Sequence, residues 1–226
     1  MRIKRNFGFL LAAVATLSWP SHAQMNMAFT QADLHGLWNP VVGSGASYEL
    51  NDRATKTNVD LAVVGKEDAD GKPGYWIEFT ANTPNMGQMV MKNLMVVDGK
   101  TVNSTRTIMQ MAGRPPMEMP AMMNRGAAQK PQSTDIKTDA DLVGSETIST
   151  PAGSFTCDHY RAKDQSWDVW VSAKVTPWGV VKLVLDKDRT LVLTKVVTDA
   201  KDQITGTPQK FNPADMMRQM GQQPRQ

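Results

Sequence analysis

The feature that most constrains the fold is a series of short strand-like segments within residues 144–185. They are rich in β-branched and aromatic residues, and tight connections such as Pro151-Ala152-Gly153 separate them. Parallel strands need a crossover of a dozen or more residues, and these connections are shorter. The pattern therefore predicts antiparallel strands over residues 146–149, 154–161, 167–174 and 179–185, followed by 190–198.

The first half of the chain shows the same pattern. Asp98-Gly99 is the dipeptide typical of a type I′ turn, and it predicts a hairpin between residues 89–97 and 100–111. Further candidate strands are residues 46–51, 57–64 and 75–80. The fold class expected is mainly β (α+β), a strongly curved antiparallel sheet or half-barrel.

Short helices are expected at both ends of this domain. Thr30 resembles an N-cap of a helix that runs to about residues 35–38, where Pro40 ends it. Asn212-Pro213-Ala214-Asp215 resembles a second helix start before Met216. Residues 112–141 carry four prolines and no sustained period, so a methionine- and proline-rich loop or lid is expected there.

Residues 1–23 predict a secretory signal peptide. Arg2, Lys4 and Arg5 precede an apolar run at residues 7–17 that is too short to span a bilayer, and Ser21-His22-Ala23 matches a cleavage site. The mature chain, residues 24–226, is then a single domain without a transmembrane segment. Its predicted location is the periplasm or the medium.

Removal of this peptide changes the charge. The whole chain has 25 Lys and Arg against 22 Asp and Glu, and residues 1–23 hold three of the basic residues and none of the acidic ones. The mature chain is therefore close to neutral, which argues against nucleic acid as a partner. Cys157 is the single cysteine, so no intramolecular disulfide can form.

Within residues 144–185, several motifs form a recognisable pattern: Gly144, Glu146, Thr150-Pro151-Ala152-Gly153-Ser154-Phe155, Tyr160-Arg161, Trp167-Asp168-Val169-Trp170-Val171-Ser172 and Pro177-Trp178-Gly179-Val180-Val181-Lys182. This pattern resembles the lipoprotein-carrier-like (LolA/LolB/LppX-like) superfamily of exported bacterial half-barrel domains. The resemblance implies a curved, unclosed antiparallel sheet whose concave face is apolar and can take acyl chains. The strand at residues 75–79 and the Asp98-Gly99 hairpin fit the first half of such a sheet.

The chain is rich in methionine, with 16 residues, and strand alternation places several on common faces. Three interpretations stay open: core filling by flexible thioethers, a surface for lipid or acyl chains, and a Cu(I) site made of soft sulfur ligands. The apolar-ligand interpretation uses Met89, Met91, Met95, Met109, Met111, Trp76 and Trp170. The Cu(I) alternative uses Met109, Met111, Met117 and Met119.

Other chemistry-bearing residues give weaker patterns. Cys157 and His159 lie two apart on a predicted strand, which fits a metal pair or an activated thiol, or else a buried thiol beside a hydrogen-bonded histidine. Glu78, Glu146 and Asp168 are dispersed carboxylates. The chain lacks the common phosphate-loop, serine-hydrolase and zinc-protease motifs.

The sequence thus predicts an exported, non-enzymatic binding or carrier protein without a cofactor. Its ligand would be a lipid or acylated molecule on the concave face of the sheet. The alternatives are a methionine-based Cu(I)-binding protein and an envelope module that binds another envelope protein through its sheet edge.

Overall fold

The computed structural model describes residues 35–53, 55–83, 87–120, 132–186 and 189–211. Within these ranges the chain forms thirteen strands and a single turn of 3₁₀ helix, Ile136–Thr138. The strands are β1 (Gly45–Asp52), β2 (Thr55–Ala69), β3 (Lys72–Thr83), β4 (Gly87–Asp98), β5 (Thr101–Met111), β6 (Met117–Glu118), β7 (Gln132–Ser133), β8 (Ala140–Thr150), β9 (Gly153–Ala162), β10 (Asp168–Val171), β11 (Val180–Asp186), β12 (Arg189–Val197) and β13 (Gln209–Lys210).

All thirteen strands belong to one curved sheet in the order β13-β6-β5-β4-β3-β2-β1-β12-β11-β10-β9-β8, with β7 also paired to β5. Every pairing is antiparallel except the short contact between β6 and β13. The two ends of this order, β13 and β8, do not pair, so the sheet is not closed. The predicted mainly-β, curved antiparallel architecture is confirmed. No helix among the described residues is long and apolar enough to cross a membrane.

The predicted N-terminal helix is wrong where the structure describes it. Leu37 N–H donates to Trp178 O (2.7 Å) and Asn39 N–H to Pro177 O (2.7 Å), so this stretch lies extended along another backbone segment. Pairing with a distant part of the chain satisfies the same N–H groups that a helix would have used. The described ranges contain no α-helix. The helix start at Thr30 and the whole C-terminal helix lie outside the described residues.

Residues 112–141, expected to be a loop or lid, contribute in part to the edge of the sheet. Met117 and Glu118 of β6 pair with Met109 and Ile108 of β5, and β7 pairs with the opposite end of β5. Residues 121–131 lie outside the described ranges, so the lid itself stays a prediction.

The core lies on one face of the sheet, called here the interior face, which carries Tyr48, Leu61, Ile77 and Leu183. Strand alternation puts apolar side chains on this face at every second position. Its centre is filled by the protein's own side chains, all 0–1% exposed: Ala46, Tyr48, Val59, Leu61, Val63, Ile77, Val169, Leu183, Leu191 and Leu193. The Tyr48 hydroxyl donates to Val180 O (3.0 Å), so this buried polar atom has a partner.

Trp38 covers one end of the interior face. Its ring meets Tyr75 of β3 edge-on, with centroids 6.0 Å apart, and Trp178 at 4.6 Å. β3 and the segment before β11 are far apart in strand order, so one indole connects two regions of the curved sheet. Gly36 permits the approach, because a Cβ there would lie 2.0 Å from Trp178 O.

Residues 199–208, called here the C-terminal strap, cross the opposite, outer face of β3, β4 and β5. Gln203 N–H donates to both carboxyl oxygens of Glu78 (3.1 and 3.2 Å), and Thr205 N–H donates to Gln110 Oε1 (3.0 Å). Lys92 pairs with Asp202. The strap then continues into β13, which lies along β6.

Glu78 is a carboxyl group beneath this strap, 1% exposed. Burial raises its pKa to about 7, and the hydrogen bond and negative charge of Asp202 act in the same direction. Burial alone would raise the pKa of Asp202, but hydrogen bonds from Lys92, from Ile204 N–H and from Glu78 lower it. Glu78 therefore holds a proton up to near neutral pH, and Asp202 carries the charge that Lys92 meets.

Stability should fall as the pH rises through the titration of Glu78. The unfolded chain loses this proton near pH 4.5 and the folded protein near 7, so the folded state binds more protons between these values. We expect the free energy of unfolding, measured by urea at pH 5 to 8, to fall by about 1–3 kcal/mol from this group. Glu78→Gln, which mimics the protonated acid, should flatten the fall.

The matched control is Glu49→Gln. The hydrogen bond from Lys56 lowers the pKa of this partly exposed carboxyl group, so the variant should keep the wild-type fall between pH 5 and 8. Equal pH slopes for Glu78→Gln and the wild type would show that Glu78 does not titrate in this range.

Candidate functional site

Five methionines form two cross-strand rows on the interior face, called here the methionine rows. In the first, Met91 of β4 lies opposite Met109 of β5, which lies opposite Met117 of β6. In the second, Met89 lies opposite Met111. Directly opposed residues in antiparallel strands have Cβ atoms about 4.5–5.5 Å apart, so each row brings its side chains within contact range.

A one-residue bulge in β5 creates these rows. The hairpin leaves its turn with Met95 opposite Ser104, but Leu94 lies opposite Arg106, so Thr105 has no counterpart in β4. Without that extra residue, every later residue of β5 would change faces, and Met109 would point to the outer face. The bulge therefore decides whether the thioethers of β4 and β5 meet.

Asn93 forms hydrogen bonds with residues on both sides of the bulge. Its Oδ1 accepts a hydrogen bond from Thr107 Oγ1 (2.6 Å), after the extra residue, and a longer one from Ser104 Oγ (3.4 Å), before it. Asn93 is 0% exposed and lies on the interior face between Met91 and Met95. A buried amide must keep such partners, so they favour the bulged register over the regular one.

The methionine rows remain partly open to solvent, whereas the centre of the interior face is filled by the protein's own side chains. Met91, Met109, Met111 and Met117 are half-buried, and Met89 is 5% exposed. The residues of β3 that lie opposite the rows on this face are Phe79 and Ala81, so the rows have apolar neighbours on that side. Among the described residues, this is the part of the interior face that can offer thioether surface to a ligand.

The remaining methionines of the predicted sites lie nearby but differ in role. Met95 shares the interior face and is 2% exposed, so it is a core residue. Met119 follows β6, half-buried, with its N–H bonded to Thr107 O (2.8 Å). Of the Cu(I) set, Met109 and Met117 are direct neighbours, and Met111 belongs to the second row.

The two tryptophans assigned to the apolar site do not join the methionines, which corrects that prediction. Trp76 lies opposite Leu94 on the outer face, because it alternates with Tyr75 and Ile77. Its Nε1 donates to Glu67 Oε2 (2.9 Å), and Lys92 lies over its ring at 5.2 Å. Trp170 is also on the outer face, on β10.

A second cluster, called here the histidine cluster, lies on the outer face of β8–β11. His159 Nε2 lies 2.6 Å from Asp168 Oδ1, and its Nδ1 lies 3.7 Å from Glu146 Oε1. Trp170 stacks on the imidazole at 4.2 Å and donates to Glu146 Oε1 (2.6 Å), while Lys182 lies 4.8 Å from the indole centroid. Strand register creates the cluster, since Trp170 is opposite both His159 and Lys182.

The geometry of this cluster favours a cross-link between strands over a reactive site. The Cys157 thiol contacts Phe155 O (3.5 Å), and burial, with the charges of Asp158 and Glu146, raises its pKa to about 11. It is therefore a neutral thiol near pH 7 and a poor nucleophile. No group of three or more His, Cys, Asp or Glu in the described ranges is arranged to hold a metal ion.

Sequence patterns identified His159, Glu146 and Asp168 only as separate residues. Their meeting depends on the pairing of β8, β9 and β10, including a bulge between Leu142 and Gly144. Alternation placed Cys157 and His159 on one face of the strand, but it did not identify the residues of other strands that contact them.

A groove of about 500 Å³ lies on the outer face near the hairpin ends of β2–β5, floored by Leu94 and Val96. Several of its charges are already paired. Arg106 bonds Glu67 (3.3 Å) and Glu118 (3.0 Å), and Lys72 bonds Asp98 (2.8 Å). These four charged side chains of the lining thus have protein partners, and Asp68 Oδ1 accepts from Gly71 N–H (2.8 Å).

Asp168→Asn should destabilise the fold if the histidine cluster joins β9 to β10. Asp168 accepts from His159 and from Arg161 Nε (2.9 Å), and loss of its charge weakens both bonds, at a cost of about 1–2 kcal/mol in urea unfolding. Glu146→Gln is the matched control, with a smaller expected cost because Glu146 is more exposed. A larger cost for Glu146→Gln would contradict this assignment.

No family model matches the sequence, and no curated protein matches it. Among solved structures, the chain is similar to a Bacteroides fragilis NCTC 9343 protein provisionally described as exported, with a YmcC-like fold. They share 15% identity over 72% of this chain and 99% of that one, with a TM-score of 0.35. A Parabacteroides distasonis ATCC 8503 protein provisionally described as a lipoprotein shares 14% identity over 73% and 99%, with a TM-score of 0.36. TM-scores this low do not establish a shared fold.

Proposed function

We propose that the protein is an exported binding protein that holds an apolar ligand, a lipid or acyl chain, against the methionine rows. The observation that carries this proposal is the contrast within the interior face. Its centre is packed to 0–1% exposure by the protein's own side chains, whereas Met91, Met109, Met111 and Met117 stay half-buried. The signal-peptide pattern of residues 1–23 supports export.

Thioether side chains suit a ligand of variable shape. Methionine is unbranched and polarizable, so it adapts to different apolar partners. In the described part of the chain, the residues opposite the rows are uncharged: Phe79 and Ala81 on the β3 side and Gln209 on the β13 side. A charged headgroup would therefore remain in solvent while the chain lies on the sulfur-rich surface.

The expected affinity is modest. Each buried methylene contributes about 0.8 kcal/mol, so about ten of them contribute roughly 8 kcal/mol before the cost of association. That cost is about 4 kcal/mol or more, which leaves about 4 kcal/mol or less and so a Kd of about 1 mM or weaker. Such a ligand would exchange readily, as a carrier requires.

Met109→Asp should abolish this binding. A carboxylate in the middle of the first row puts charge on the surface that the acyl chain must contact, and we expect at least a tenfold loss of palmitate affinity by isothermal titration calorimetry. Met109→Leu is the matched control and should bind palmitate nearly as well as the wild type. Circular dichroism of each variant would verify folding.

Two results would contradict the proposal. One is a wild-type protein that binds neither palmitate nor phospholipid monomers. The other is a folded Met109→Asp variant with unchanged affinity, which would place any lipid site elsewhere.

A further inference from the structure

We propose that the methionine rows also form an all-thioether site for a soft monovalent cation, Cu(I) or, as its redox-inert counterpart, Ag(I). This inference goes beyond apolar-ligand binding, and it rests on the register of β4, β5 and β6. It concerns the same surface but a different kind of bond, sulfur lone pairs donated to a metal ion.

The first row supplies three donors in one line across the sheet. Met109 is central, with Met91 opposite it on one side and Met117 on the other. Packing alone does not require methionine at position 117 of β6, because any apolar side chain there would cover this part of the sheet. Three flexible side chains with adjacent Cβ atoms can converge on a single ion.

The second row adds further donors one step along the strands. Met89 and Met111 lie two residues from Met91 and Met109, on the same face. Residues two apart on a strand are within about 7 Å, so a sulfur of this row can complete or exchange with the set. The half-buried state of Met91, Met109, Met111 and Met117 leaves them accessible to an entering ion.

The donor set selects the metal. Thioethers are soft and neutral, so they favour Cu(I), whereas carboxylate, carbonyl and water ligands suit Mg²⁺ or Ca²⁺. Among the described residues, the neighbours on this face are Phe79, Ala81, Asn93, Thr107 and Gln209, which lies opposite Met117. None of them is charged, and Asn93 and Thr107 are hydrogen-bonded to each other. His159 and Cys157 lie on the outer face of β9, so they do not mix imidazole or thiol into the set.

Asn93 and Thr107 act as positioning residues for this site. Their 2.6 Å hydrogen bond lies just beyond the bulge and favours the register in which Met109 meets Met91. If that register were lost, Met109 and Met111 would turn to the outer face, and the first row would lose its central donor. The site is thus sensitive to a residue that offers no sulfur.

The direct test is titration of the full mature chain with Ag(I) in chloride-free buffer, followed by native mass spectrometry. We expect one tightly bound Ag(I) per chain, with shifts of the Met91, Met109 and Met117 ε-methyl signals in NMR spectra. Cu(I), added without oxygen against a chromophoric Cu(I) chelator, should behave alike, and Zn(II) should not bind. The double variant Met109→Leu with Met117→Leu should lower Ag(I) affinity at least tenfold.

The control variant is Met95→Leu, which alters a 2% exposed methionine on the same face and should leave Ag(I) affinity unchanged. Thr107→Val removes the hydrogen bond to Asn93 but no sulfur, and it should weaken Ag(I) binding and perturb the Met109 methyl signal. Unchanged Ag(I) affinity in Thr107→Val would overturn the positioning role.

Three results would overturn the site itself: a wild-type chain that binds no Ag(I), a double leucine variant that binds Ag(I) as tightly as the wild type, or equal binding of Zn(II). Palmitate titration of the double leucine variant separates the two proposals. Retained palmitate binding with lost Ag(I) binding supports both, whereas Ag(I) binding by a wild-type chain that does not bind palmitate supports the metal site alone.

Discussion

The single extra residue in β5 is the constraint on which the candidate site depends. Because side chains alternate along a strand, one residue inserted at Thr105 reverses the face of everything after it. Asn93, fully buried, offers one oxygen to hydroxyl groups on both sides of the insertion. The position of Met109, and through it the pairing of Met117 in β6, follows from that local arrangement.

Both faces of β3–β5 are covered, by different means. The interior face meets the apolar core and the Trp38 contacts, while the outer face lies under the C-terminal strap. This explains why residues of both faces are buried in β4, with Met95 at 2% and Leu94 at 1% exposure. It also explains how a carboxyl group such as Glu78 comes to be buried within a sheet, since the strap supplies its hydrogen-bond donor.

Sequence patterns correctly predicted the features that depend only on neighbouring residues. Period-two alternation and the Asp98-Gly99 turn identified the antiparallel sheet and its hairpin, because both depend on neighbouring residues. The N-terminal helix was wrong since Leu37 and Asn39 find carbonyl partners more than a hundred residues away. Trp76 was assigned to the methionine face against its own alternation. The histidine cluster needed the register of four strands, which no short window contains.

The division of charge between the two faces narrows the class of ligand. The described ion pairs of Glu67, Lys92, Arg106 and Asp168 all lie on the outer face, where they have protein partners. Among the described residues, the interior face beside the methionine rows has apolar groups, the Asn93–Thr107 pair and the uncharged amide of Gln209 opposite Met117. An anion or a strongly hydrated dication would lose its hydration there without compensation. An acyl chain loses nothing by leaving water, and a soft monovalent cation exchanges its weak hydration for sulfur donors. The surface therefore selects ligands by their softness and low polarity rather than by recognising a charge.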